Sequence, residues 1–128
     1  MNDLVLDASA LLAYFKNEPG AEAVQRTLGA DTVIGAVNLA EVVSKLVEAG
    51  WSEDAIRDTF GATQAQPVAF LAEDAYVAGL LRERTRRRGL SLGDRACLAL
   101  ALRLGAPALT ADRSWADLDV GVEVIVVR

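Results

Sequence analysis

Leu4-Val5-Leu6-Asp7-Ala8-Ser9 is a short apolar run that stops on a carboxylate and passes straight into Ala10-Leu11-Leu12-Ala13. That order reads as a strand handing over to a helix, which puts Asp7 at the strand's C-terminal end. In a parallel α/β sheet this edge is where ligands bind, because loops and helix N-termini converge there on a rigid frame. A simpler role is open to both Asp7 and Ser9, since either can cap the helix that follows. Whether other acids reach the same edge separates the two roles.

Working outward, a helix from Ala10 to Phe15 is broken at Asn17-Glu18-Pro19-Gly20 and resumes from Ala21 to Leu28. Thr32-Val33-Ile34 is a β-branched run, after which Leu39, Val42, Val43, Leu46 and Val47 recur at helical spacing up to Gly50. Ser52-Glu53-Asp54 has the pattern of a helix start with acids in the first turn, leading through Phe60; Pro67 to Phe70 suits a brief strand. A long helix is predicted from Glu73 to Arg88, with Ala75, Val77, Ala78, Leu80 and Leu81 inward and arginines at its C-terminal end, where the helix dipole favours cations. Gly89 to Gly93 is a turn, and Asp94 is expected to open an apolar helix that runs through Leu104 and ends at Gly105. Ala108-Leu109-Thr110 reads as a strand closing on Ala111-Asp112, followed by a short turn from Ser114 to Leu118 and a last strand from Val122 to Val127. With no repeat, linker or low-complexity tract, residues 1–128 are expected to form one α/β domain. It would be a three-layer α/β/α sandwich with a central, mainly parallel sheet.

The composition removes whole classes of chemistry. The 128 residues are 52% hydrophobic, enough for an unstapled core, and a single cysteine, Cys97, rules out a disulfide framework or a cysteine-rich zinc module. On its apolar helix Cys97 reads as a small buried hydrophobe. The sequence contains no histidine, so Ser-His-Asp and Cys-His machinery is absent, and any catalysis rests on carboxylates. No run approaches a membrane span and the N-terminus lacks the basic head of a secretory signal, so a soluble, cytoplasmic protein is expected. Thirteen basic against eighteen acidic residues give a net charge of −5, which disfavours nucleic-acid binding by global charge. The basic charge is concentrated, however, with Arg82, Arg84, Arg86, Arg87 and Arg88 lying close together.

Four acids share a distinctive placement. Asp7 and Asp112 follow strands, whereas Glu41 and Asp94 lie near the starts of helices that are apolar on one face. If the strands are parallel, all four reach one edge and one cleft. Each also has a local explanation: Glu41 stands at ion-pair spacing from Lys45, Asp94 suits a helix cap, and Asp112 can open a turn with Arg113 and Ser114. Gathered in one site, carboxylates repel by about 3 kcal/mol per pair at roughly 6 Å and an effective dielectric near 20, and a divalent cation relieves that repulsion. Oxygen ligands without imidazole or thiolate suit Mg²⁺ or Mn²⁺ better than Zn²⁺. Metal-assisted phosphodiester hydrolysis is the leading chemistry.

The same residues carry a family resemblance. Leu4 to Ala10, Val37-Asn38-Leu39-Ala40-Glu41-Val42, Leu90-Ser91-Leu92-Gly93-Asp94-Arg95-Ala96-Cys97-Leu98-Ala99 and Leu109-Thr110-Ala111-Asp112-Arg113-Ser114-Trp115 occur in this order and span essentially the whole chain. They closely resemble PIN-domain proteins, particularly VapC toxins of toxin–antitoxin pairs. The resemblance implies a PIN-like fold and a Mg²⁺- or Mn²⁺-dependent endoribonuclease that cuts RNA and is silenced by a cognate VapB-type antitoxin. It also implies that Asp7, Glu41, Asp94 and Asp112 are the catalytic and metal-site acids, with Thr110, Ser9 and Asn38 supporting them. Asp7 and Asp94 would be the principal direct ligands, and Glu41 and Asp112 would complete the site directly or through water.

For the substrate, Arg95 and Arg113 adjoin two proposed ligands and are candidates to touch phosphate, and the arginines at 82–88 are a more distant candidate. Trp51, Phe60, Phe70 and Trp115 suit the core, a groove or a homodimer interface. One rival is a non-catalytic PIN-like module that binds RNA or protein. Another is a phosphotransferase of the haloacid dehalogenase type, disfavoured because Ser9 stands where that chemistry needs a second Asp.

Overall fold

The computed structural model describes residues 3–128. In chain order these form β1 (Leu4–Leu6), α1 (Ala8–Phe15), α2 (Ala21–Thr27), β2 (Thr32–Gly35), α3 (Ala36–Glu48), α4 (Glu53–Ala62) and β3 (Gln66–Val68). There follow α5 (Ala72–Thr85), a 3₁₀ turn (Arg86–Arg88), α6 (Leu92–Leu104), β4 (Ala108–Thr110), a 3₁₀ turn (Arg113–Trp115) and β5 (Val124–Val126). The strands lie in the order β3-β2-β1-β4-β5, and every pairing is parallel. The sheet is therefore parallel throughout the described residues, where the sequence indicated mainly parallel.

Side-chain alternation divides the core in two. Val5, Val33 and Ala108 face one way and pack with Leu81, Leu90, Leu98 and Trp115. Leu6, Ile34 and Leu109 are in register across the three central strands and face the other way, against Leu11, Val24, Val42, Leu46 and Ile56. Helices α1–α4 thus supply one outer layer and α5–α6 the other, which makes the three-layer sandwich. Leu6, Ile34 and Leu109 are at most 2% exposed, so truncating any one to Ala costs about 2–5 kcal/mol. A partly buried ion pair ties α5 to α6. Arg103 donates to both oxygens of Asp74 at 2.9 and 3.0 Å, and the Leu71 N–H donates to Asp74 at 2.9 Å, closing the first turn of α5. Burial raises the Asp74 pKa, but these hydrogen bonds and the Arg103 charge outweigh it and hold the carboxyl below its ordinary value.

Strand order fixes where a site can form. From β1 the chain moves to β2 and β3 on one side, then crosses back through α5 and α6 to place β4 on the other. The β1/β4 boundary is the switch point of the sheet, and it opens at the strand C-termini, where Asp7 and Asp112 lie.

Several local expectations are corrected. Helix α5 ends at Thr85, and Arg86–Arg88 form a separate 3₁₀ turn. Its inward stripe is Asp74, Ala78, Leu81 and Thr85, while Ala75 and Leu80 face outward, Leu80 with 76% exposure. Two polar residues hold core positions on this helix, which hides its true face from an apolar count. Helix α6 starts at Leu92 with Ser91 as its cap, so Asp94 is its third residue. Lys45 forms its ion pair with Glu48, at 3.8 Å on the surface, and reaches Glu41 only through its charge. The final strand is shorter than read. Trp115 is fully buried, Trp51 and Phe60 are half-buried, and Phe70 is exposed.

Candidate metal centre

The switch point is stitched together by two hydroxyls. Ser9 Oγ donates to Asp7 Oδ2 at 2.6 Å, and Thr110 Oγ1 donates to the same oxygen at 2.9 Å. Each hydroxyl also accepts from the backbone beyond β4: Ser9 from the Ala111 N–H at 3.0 Å and Thr110 from the Asp112 N–H at 3.0 Å. Both hydroxyl protons go to Asp7, so the 3.1 Å approach of Ser9 to Thr110 is a contact rather than a third bond. Asp7 is the residue before α1, yet its side chain caps nothing. It is instead 2% exposed and fixed across two strands.

The other acids are oriented by one oxygen each. Asn38 Nδ2 donates to Glu41 Oε1 at 2.9 Å and to the Gly93 carbonyl at 3.0 Å, which ties α3 to the first turn of α6. Both partners are acceptors, so the amide orientation is set, and Asn38 Oδ1 is left buried without a partner. Asp94 Oδ2 accepts from the Ser91 N–H at 2.9 Å while Ser91 Oγ accepts from the Asp94 N–H, a reciprocal capping pair. Asp112 Oδ1 accepts from the Ser114 N–H at 2.9 Å. Among the described residues, Glu41 Oε2, Asp94 Oδ1 and Asp112 Oδ2 make no hydrogen bond, so each carboxylate is held by one oxygen and offers the other.

Gly93 makes this arrangement possible. A Cβ there would lie 2.3 Å from Glu41 Oε2 and 2.6 Å from its Cδ, so only glycine lets the Glu41 carboxylate lie over the start of α6. In the sequence Gly93 is legible only as a turn residue, and the Gly-Asp step is the one signal of this further role.

The acids share a field. Burial, opposed by the Ser9 hydrogen bond and reinforced by the Asp94 charge, raises the Asp7 carboxyl from 3.8 to about 6. Glu41 is raised chiefly by burial and further by Asp94, against its bond from Asn38 and the charge of Lys45. Asp94 is raised chiefly by burial, against its bonds from Ser91, and further by Asp112. Asp94 is thus the acid that feels or perturbs all three others. Beneath them Cys97 is fully buried, and burial together with the charges of Asp7, Asp94 and Glu41 pushes its thiol well up, which rules it out as a nucleophile.

This donor set fits a hard divalent cation. Its donors are all oxygens, three of them make no hydrogen bond among the described residues, and Asp7, Glu41 and Asp94 are raised chiefly by burial and further by a neighbouring carboxylate. Among the described residues no three His, Cys, Asp or Glu side chains are placed so that they could hold a metal ion as they stand. A bound ion would therefore take part of its shell from water.

Arg113 and Arg95 part company. Arg113 lines an open cleft of about 610 Å³ beside Asp112, together with Ser9, Pro19, Ala111 and Arg128. Arg95 does not reach it. Only 7% exposed, Arg95 points toward α5 and donates to the Ala78 carbonyl at 2.8 Å. Its place one residue after Asp94 turns it to the packed side of α6, so the expected phosphate contact is replaced by a tie between helices.

A parallel α/β sandwich with acids gathered at the β1/β4 switch point defines a class of carboxylate-site domains. The PIN domain family model matches residues 4–121, and the chain belongs to the PIN-domain family. No curated protein sequence matches the chain. Among solved structures it is similar to a toxin–antitoxin complex from Klebsiella pneumoniae, with 16% identity, a TM-score of 0.75 and 98% of each chain covered. VapC20 of Mycobacterium tuberculosis, a sarcin–ricin loop cleaving toxin, gives 16% identity and a TM-score of 0.71 over 94% of this chain and 99% of that one. VapBC-1 of nontypeable Haemophilus influenzae gives 18% identity and a TM-score of 0.69 over 96% of each. At these identities the likeness is one of fold.

Proposed function

We propose that this protein is a Mg²⁺- or Mn²⁺-dependent endoribonuclease of the VapC type, a toxin that hydrolyses RNA phosphodiester bonds and is held in check by a VapB-type antitoxin. The observation that carries the reading is a buried Asp7, raised to about 6, joined through Asp94 to Glu41 and Asp112 at the switch point of a PIN domain. Asp7 and Asp94 hold the ion, and Glu41 and Asp112 complete its surroundings directly or through water. The ion supplies Lewis acidity to a phosphate oxygen and a more acidic water. Ser9 and Thr110 fix Asp7, Asn38 fixes Glu41, and Arg113 meets the RNA backbone in the open cleft beside Asp112.

Similar solved structures include VapBC complexes. A crevice of about 420 Å³ between α3 and α4, lined by Leu39, Val43, Val47, Ile56 and Phe60, offers apolar surface to an antitoxin segment or to a second copy in a homodimer. Among the described residues no helix is long and apolar enough to cross a membrane, and the proposed site of action is the cytoplasm, where RNA is met.

The absence of a ready three-acid cage favours a second reading, a PIN module that binds RNA without cutting it. Incubating the purified protein with mixed RNAs separates the two. Cleavage that chelation abolishes and Mg²⁺ restores supports the nuclease, whereas RNA retention without new ends under every metal condition supports the binding module.

A further inference from the structure

The arginines at the end of α5 are not engaged with the acids, and their contacts lead elsewhere. Arg88 donates through one nitrogen to the carbonyls of Ser114, at 3.2 Å, and Ala116. Arg84 donates to the Asp119 carbonyl at 2.6 Å. All three acceptors belong to the loop that follows Asp112. This loop contains Asp117 at φ 62, in the left-handed region that Asp enters more readily than most side-chain-bearing residues. Trp115 anchors it from below, fully buried in the α5–α6 core, and the two arginines clasp it from the side.

Ser114 is the link between this clasp and the site. Its carbonyl accepts from Arg88, while its N–H donates to Asp112 Oδ1. We propose that Arg88 is a positioning residue, one that sets the direction of the Asp112 carboxylate by holding Ser114, with Arg84 bracing the far end of the same loop. This inference rests on the reading of Asp112 as a metal-site acid. It also gives the basic cluster a role other than RNA contact: charged hydrogen bonds to loop carbonyls, which are stronger than neutral ones.

The test uses the full chain and Mn²⁺ alone, with affinity read from the ion's loss of free EPR signal on binding. Arg88→Ala is expected to weaken Mn²⁺ binding about tenfold, the scale of losing a partner that orients a ligand. It is expected to lower kcat for RNA while KM stays within about twofold. Arg88→Lys keeps one donor and restores most of the affinity, and Arg87→Ala, which makes no hydrogen bond among the described residues, leaves Mn²⁺ affinity at the wild-type value. In an Asp112→Asn background the Arg88→Ala change should add nothing further, because its effect passes through Asp112. If Arg88→Ala instead raises KM and flattens the salt dependence with Mn²⁺ affinity intact, the cluster binds RNA and the inference is overturned. An unchanged Arg88→Ala protein also overturns it. Wild-type protein that binds no Mn²⁺ overturns the functional reading itself.

Discussion

The two halves of the acidic site are built differently. Asp7 stands at the end of a central strand, 2% exposed, with two hydroxyls on one oxygen and backbone donors from the next strand behind them. Glu41 and Asp94 stand on helices, half-buried, each carboxylate turned by hydrogen bonding at one oxygen. The strand half is the more deeply buried and is held at one oxygen by two hydroxyls, while each helix carboxylate leaves one oxygen without a hydrogen bond among the described residues. Under the proposed function, these open oxygens are where a cation that keeps some of its water would be met.

The largest effect is expected at the strand half. Asp7→Asn should abolish metal-dependent RNA cleavage, and in metal-free protein it should raise stability at pH 7 by up to about 3 kcal/mol. The sign follows from linkage. The unfolded carboxyl ionises near its ordinary value of 3.8 and the folded one near 6, so between these the folded state holds a proton that the unfolded state has released. Metal-free wild type should therefore lose stability as pH rises through that window and level off above it, with most of that slope gone in Asp7→Asn. Thermal melts of both proteins in chelator, from pH 4 to 7, read this directly. A slope of equal size in both would mean that Asp7 is not the strained group.

A smaller effect is expected from the helix half. In Gly93→Ala the atoms nearest the new methyl group are those at the far end of the Glu41 side chain, so the fold should keep its melting temperature while the carboxylate moves. Mn²⁺ affinity and kcat should fall by about 10–100-fold, the range seen when a ligand loses its orientation. Unchanged metal affinity would show that Glu41 takes no part. Smaller still is Arg113→Ala at the cleft: RNA affinity should weaken across sequences and its salt slope fall by about one, with Mn²⁺ binding unaltered. An unchanged salt slope would remove Arg113 from the RNA path.

The convergence of Asp7, Glu41, Asp94 and Asp112 was legible in the sequence because parallel strands place their C-termini and the following helix starts on one edge, whatever the packing details. The contacts that tune those acids were not. Gly93 matters only because α3 crosses the start of α6, and Arg88 only because the loop after Asp112 folds back onto the end of α5, relations that no local pattern encodes. Arg95 misled for the converse reason. Sequence adjacency to Asp94 suggested a shared cleft, but the next position on a helix turns the side chain away by about 100°, here onto Ala78. Leu80 misled through periodicity, since Asp74 and Thr85 occupy the inward stripe of α5 and displace the apolar count onto the solvent face.

The central claim is that these four acids form one divalent-cation site whose charge is unbalanced until the ion binds. A carboxyl-¹³C titration of Asp7, with and without Mg²⁺, tests it most directly. Without the ion, Asp7 should titrate near 6; with it, the midpoint should drop below the ordinary carboxylate value of 3.8. An Asp7 that titrates near 3.8 in metal-free protein, or one whose midpoint Mg²⁺ leaves in place, would contradict the claim.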